Sequence, residues 1–184
     1  MRAISRSLLA ALALLAALGT ADGQTRIVRA DAAGPDPRDP LAAGRGPLTA
    51  DEARTIARWL DESDAMVVVG RYADARRLLR TTRDLQVRAG ANPTVTLRRL
   101  ANVEFGLGNE VAAAGVLEEL ADAACEAHDP VTELQALLDA TVLYGQEGKR
   151  TKVRDLQPRI RKMLASPAIP DAMRQSVTRH LDHE

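Results

Sequence analysis

From Thr49 onward, apolar residues recur at helical spacing, and glycines and prolines cut the pattern into helix-sized lengths. Ala53, Ile56, Ala57, Leu60 and Val67 form one stripe. After Gly70, a second stripe runs through Tyr72, Ala75, Leu78, Leu79 and Leu85, and Gly90 and Pro93 close it. Leu97, Leu100, Ala101 and Phe105 then precede Gly108, with Ala113, Val116, Leu117 and Leu120 behind it. Asp129 and Pro130 open a further unit, since proline suits a first helical turn. There Leu134, Leu137, Leu138, Thr141 and Tyr144 precede Gly148, and Val153, Leu156 and Ile160 follow. Thr49 and Glu52 have the spacing of a capping box at the start of the first helix.

These stripes predict helical hairpins over about 50–90, 93–127 and 130–165, turning at Gly70, Gly108 and Gly148. The residue five places after each glycine is small and apolar (Ala75, Ala113, Val153), as the closest approach of two paired helices requires. Pro158 falls inside the last of these helices and predicts a kink or a restart. Pro167 and Pro170 break the chain again. A final helix over 170–183 then carries Met173, Val177 and Leu181 on one edge, with Arg174, Arg179 and His180 toward water. One hairpin cannot bury its own apolar face, but stacked hairpins can.

Upstream the pattern is different. Arg2 and Arg6 precede an unbroken apolar run from Leu8 to Leu18, too short for a bilayer span but suited to a secretory leader. Residues 1–21 therefore read as a signal peptide, with small residues from Gly19 to Gly23 for cleavage. An uncleaved anchor is the alternative, against which those small and polar residues count. No cysteine follows the leader, so a lipoprotein is excluded. Residues 22–48 hold Gly34, Pro35, Pro37, Pro40, Gly44, Gly46 and Pro47 without apolar periodicity, and read as a disordered linker. The expected location is periplasmic or secreted, with no stable membrane span after cleavage.

Composition narrows the class further. The 184 residues carry 25 basic and 25 acidic side chains. Loss of Arg2 and Arg6 leaves 25 − 2 = 23 cations against 25 anions, which argues against a nucleic-acid grip. Trp59, Phe105, Tyr72 and Tyr144 are the only aromatics, so helices packed through Ala and Leu are favoured over a β-sandwich.

The segment Gly70-Arg71-Tyr72-Ala73-Asp74-Ala75 resembles the Gly-x-Tyr-x-x-Ala turn of a tetratricopeptide repeat (TPR). Trp59 falls at that repeat's first-helix Trp, Tyr144 at its first-helix Tyr. Leu97, Leu100 and Ala101 match its Trp-x-x-Leu-Gly positions, with Ala for Gly. The likeness covers roughly residues 50–165, although these units are longer than the family's 34 residues and only the first has the complete turn. A HEAT-type array or another α-solenoid remains open. The resemblance implies an all-α, short right-handed αα-hairpin solenoid of about three hairpins plus a C-terminal capping helix.

It also implies a concave groove lined by the first helix of each hairpin. The side chains so placed are Leu60, Asp64 and Val68, then Arg98, Asn102 and Phe105, then Gln135, Leu138 and Val142. Arg98 and Asn102 stand four apart on one helical face, where they could hold a peptide backbone or carboxylate. Ordinary polar surface is the competing reading.

No catalytic signature accompanies this pattern. There is no G-x-S-x-G, P-loop, H-E-x-x-H or Rossmann glycine motif. His180 and His183 share a helical face but lack a fixed third ligand, so no metal and no cofactor is expected. His128 reads as a helix C-terminal residue favoured by the dipole. Asp and Glu read as solvated faces with Arg partners at i,i+4. Cys125 reads as a small buried hydrophobe, with a disulfide to a second copy as the sharper alternative. The expectation is a non-enzymatic interaction module for a protein or peptide partner. The alternative is a self-associating or accessory structural subunit, for which the Val67-Val68-Val69 run offers a surface.

Overall fold

The computed structural model describes residues 46–181, so the leader, most of the linker, and Asp182, His183 and Glu184 lie outside it. The described chain is all-α, with seven helices and no strand. They are α1 (Ala50–Val68), α2 (Tyr72–Arg88), α3 (Thr94–Gly106), α4 (Glu110–Glu126), α5 (Pro130–Gln146), α6 (Arg150–Leu164) and α7 (Asp171–Leu181). From α1 to α6 each helix packs on the next, as in a helical-repeat array.

Local chemistry accounts for the helix ends. The Thr49 hydroxyl accepts from the Glu52 amide at 3.2 Å, and the Glu52 carboxylate accepts from the Thr49 amide at 2.8 Å. Asp129 caps α5 by accepting from the Thr132 amide at 3.0 Å, with Pro130 in the first turn. The turns share one device. A residue of positive φ follows each C-cap from α1 to α5, and the next amide reaches the carbonyl five residues back. Arg71 thus donates to Met66 at 2.8 Å, and Asp129 to Ala124 at 2.9 Å. Glycine fills that position at 70, 90, 108 and 148, but His128 fills it after α4 with φ 56°. His128 is therefore a left-handed turn residue just beyond the helix, a role its sequence context did not reveal.

Two apolar clusters hold the array. Ala75, Leu79, Leu100 and Val103 form the smaller, joined by Leu60, Met66, Val67 and Tyr72. The larger runs from Leu97 and Ala101 through Leu120, Leu134 and Leu137 to Ile160 and Ile169. Ala75 and Ala113 are fully buried and Val153 half-buried, so the positions after the hairpin glycines are points of close helix approach.

Two expectations are corrected. Pro158 does not make its helix restart: α6 is continuous from Arg150 to Leu164. Pro158 is exposed, so water can solvate the carbonyl that proline leaves without a donor. Arg174 does not simply face water. Its guanidinium donates to the carbonyls of Ser166 (3.0 Å) and Ile169 (3.1 Å), tying α7 to the turn that buries Ile169.

Two glycines inside helices make opposite predictions. A Cβ on Gly106 would lie 2.6 Å from Cε1 of Tyr72, so this glycine lets the first side chain of α2 pack against the end of α3. Gly115, in the middle of α4, has nothing nearer than the Tyr144 hydroxyl at 3.9 Å. Gly106→Ala should cost about 1–3 kcal/mol through overpacking. Gly115→Ala should gain up to about 1 kcal/mol from helix propensity. Thermal unfolding reads both, and a gain in both would refute the Tyr72 contact.

Candidate interaction face

Helix α3 is the central element. Leu100 and Val103 enter the smaller apolar cluster, while Leu97 and Ala101 enter the larger. Because α3 is buried from both sides, only one narrow stripe of it stays open. Val95, Arg98, Asn102 and Phe105 occupy it, all exposed, at the i, i+3, i+7, i+10 spacing of a single helix face.

Glu104, next to Phe105, sets the rotation of α3. Its side chain is 1% exposed. It accepts from Arg80 at 2.7 Å and from Asn109 at 3.0 Å, with Arg76 at 3.6 Å. Glu133 is buried too, and accepts from Arg159 at 2.8 Å. The acids are thus not all on solvated faces. Ion pairs among the described residues are also not at i,i+4 spacing; apart from the neighbours Arg83 and Asp84, they are i,i+3 or join different helices.

Charges connect α3 to the first helices on either side. Arg99 holds the Asp64 carboxylate of α1 through Nε at 3.0 Å and a terminal nitrogen at 2.8 Å. On the other side, the Arg98 charge acts on Asp139 of α5. Burial pushes the Asp139 carboxyl up to about 6, against the downward pull of Arg98. Arg99 thus bridges the open sides of α3 and α1, and Asp139 of α5 lies within the field of Arg98.

The nine groove residues divide on this surface. Arg98, Asn102 and Phe105 stand open on α3, and Phe105 keeps 45% of its surface exposed. From α5, Val142 is exposed, Gln135 is half-buried, and Leu138 is half-buried against the larger core. From α1, Val68 is exposed, Asp64 is engaged by Arg99, and Leu60 packs in the smaller core. The first hairpin thus offers less to a ligand than the second. Val95, Arg99 and Asp139 also belong to this surface. Val95 could have been found by extending the Arg98–Asn102–Phe105 stripe one turn back. The burial of Asp139 has no sequence signal.

The second helices carry a different pattern. Acidic α4 lies between basic α2 and α6, and cross-links run both ways. Arg83 pairs with Glu119 at 2.8 Å, Lys152 with Glu118 at 3.0 Å, and Arg159 with Asp122 at 2.5 Å. Tyr144 donates to Glu118 at 2.5 Å beneath the Lys152 ammonium; burial and the Glu118 carboxylate together raise its hydroxyl pKa. Cys125 is exposed, which corrects its reading as a buried hydrophobe. His183 lies outside the described residues.

No helix among the described residues is long and apolar enough to cross a membrane. No family model, curated protein or solved structure matches the chain.

Proposed function

We propose that the protein is a non-enzymatic interaction module of the bacterial cell envelope, a TPR-like array exported by its leader. In this reading it binds an extended protein segment along the adjoining faces of α1, α3 and α5. The observation that carries this is the open stripe of α3. Arg98 and Asn102 stand between Val95 and Phe105, so hydrogen-bonding groups for a peptide backbone are flanked by two apolar contacts. Asp139, whose carboxyl burial pushes up to about 6 against the pull of Arg98, supplies a further polar group near this stripe.

Recovery of a partner from an envelope extract tests the reading. Phe105→Ala and Arg98→Ala should each lower recovery about tenfold or more, as for the central residues of an interface. Glu119→Ala, on α4, should leave it unchanged. Equal recovery in all three would remove the groove assignment. The self-associating or accessory-subunit reading is favoured by one feature, the exposure of Val68 (85%) and Val69 (68%) at the end of α1. Concentration-dependent sedimentation abolished by Val68→Ser would favour that reading instead.

A further inference from the structure

Between residues 149 and 162 the chain places seven cations against Asp155 alone, and all three lysines of the protein are among them. Two of the seven serve the fold: Lys152 pairs with Glu118, and Arg159 with Glu133 and Asp122. Lys149, Arg150, Arg154, Arg161 and Lys162 are all exposed with α7 in place. Among the described residues, none of these five has a carboxylate at ion-pair distance. Arg150, Arg154, Gln157 and Arg161 follow i, i+4, i+7, i+11, so three guanidinium groups stand in one row. At 1.5 Å per residue the row is about 16 Å long.

From this row we infer that α6 docks on an anionic phospholipid surface, a contact separate from the α1–α3–α5 face and independent of what that face binds. Charge complementarity demands a polyanion, and arginine forms paired hydrogen bonds with phosphate oxygens. A second copy of the chain does not meet the demand. The carboxylates of Glu118, Glu119 and Asp122 on α4 are already paired, and on α1 Asp51 pairs with Arg54 and Asp64 with Arg99, which leaves the adjacent Asp61 and Glu62 too short a patch to match a row of three arginines. An acidic peptide bound specifically would need pockets for its side chains. The row offers none: Gln157 and Pro158 beside it are exposed, and no apolar residue lies in line with the arginines. A lipid surface needs no pocket, only several cations that a plane can approach together.

Co-sedimentation with vesicles tests the inference. The full chain is compared with Arg150→Gln/Arg154→Gln/Arg161→Gln on neutral phosphatidylcholine vesicles and on vesicles containing phosphatidylglycerol. Any contribution from the leader is common to both proteins and cancels in their ratio. Each cation near an anionic membrane is worth about fivefold in partitioning, so the triple variant should bind the anionic vesicles about a hundredfold more weakly. Added salt should close the gap between the two proteins. Arg54→Gln/Arg58→Gln/Arg88→Gln makes the same change in net charge at exposed sites elsewhere and should keep most of the binding. Circular dichroism should report native helix content in both variants, since all six arginines are exposed. Four results would overturn the inference: undiminished binding by the α6 variant, equal losses in the two variants, equal binding of the full chain to both kinds of vesicle, or a preference for polyglutamate over anionic vesicles.

Discussion

Arg76→Ala combined with Arg80→Ala should lower the unfolding free energy by about 3 kcal/mol at neutral pH, the low end for stripping one side from a buried ion pair. The two arginines are themselves one-third and one-half exposed, so losing their own surroundings costs little. The penalty arises at Glu104, whose 1%-exposed carboxylate would keep only the Asn109 amide as a partner. In a Glu104→Gln background the same double substitution should therefore cost about 1 kcal/mol or less. Urea denaturation of the four proteins completes the cycle, and equal costs in the two backgrounds would disprove the buried-charge explanation. The consequence reaches the candidate face. Glu104 anchors α3 against α2 one residue before Phe105, so its loss should also weaken partner recovery without altering any exposed residue.

Asp139→Asn should stabilise the protein, and only where the carboxyl is ionised. The folded-state pKa of Asp139 is about 6, raised from 3.8 by burial. Between those values the folded chain retains a proton that the unfolded chain has released. Stability therefore falls as pH rises through this window and levels off above it. The asparagine variant carries no such cost. It should be more stable than the parent by up to about 3 kcal/mol at pH 8 and nearly equal to it at pH 4. That figure is an upper bound, because the side chain is only partly buried by area. A difference independent of pH would show that the carboxyl is not held in a disfavoured ionised state. Arg98→Gln should widen the effect, since the Arg98 charge is what opposes the rise.

The helices were legible in the sequence because their signals are local. Thr49 and Glu52 lie three residues apart and cap a helix wherever it is placed. Gly70, Gly108 and Gly148 mark chain reversals because only a residue at ease with positive φ closes that turn. His128 was missed because its chemistry does not announce the conformation it adopts. The expectation of a kink or a restart at Pro158 rested on a missing hydrogen bond, yet a single such loss on an exposed helix face does not outweigh the packing of Leu156, Ile160 and Met163, and the helix does not restart.

The candidate face was legible in part. Its α3 members follow from periodicity, since Arg98, Asn102 and Phe105 are the side chains left over once the buried ones are assigned. Leu60 and Asp64 were placed on the groove by the tetratricopeptide resemblance, and their neighbours leave them less free to meet a ligand than the α3 residues. Leu60 packs against the cluster of Ala75, Leu79, Leu100 and Val103, and Asp64 meets Arg99, which is 35 residues away. The pattern of apolar positions, a property of single helices, specified seven short rods and where each ends. The packing of the rods then decided which acids are buried, that Cys125 is exposed and which cations of α6 have no carboxylate beside them among the described residues. Those outcomes depend on charges and volumes supplied by residues 24 to 38 positions apart, such as Arg80 with Glu104 and Arg159 with Ala121, and no local pattern encodes such distances.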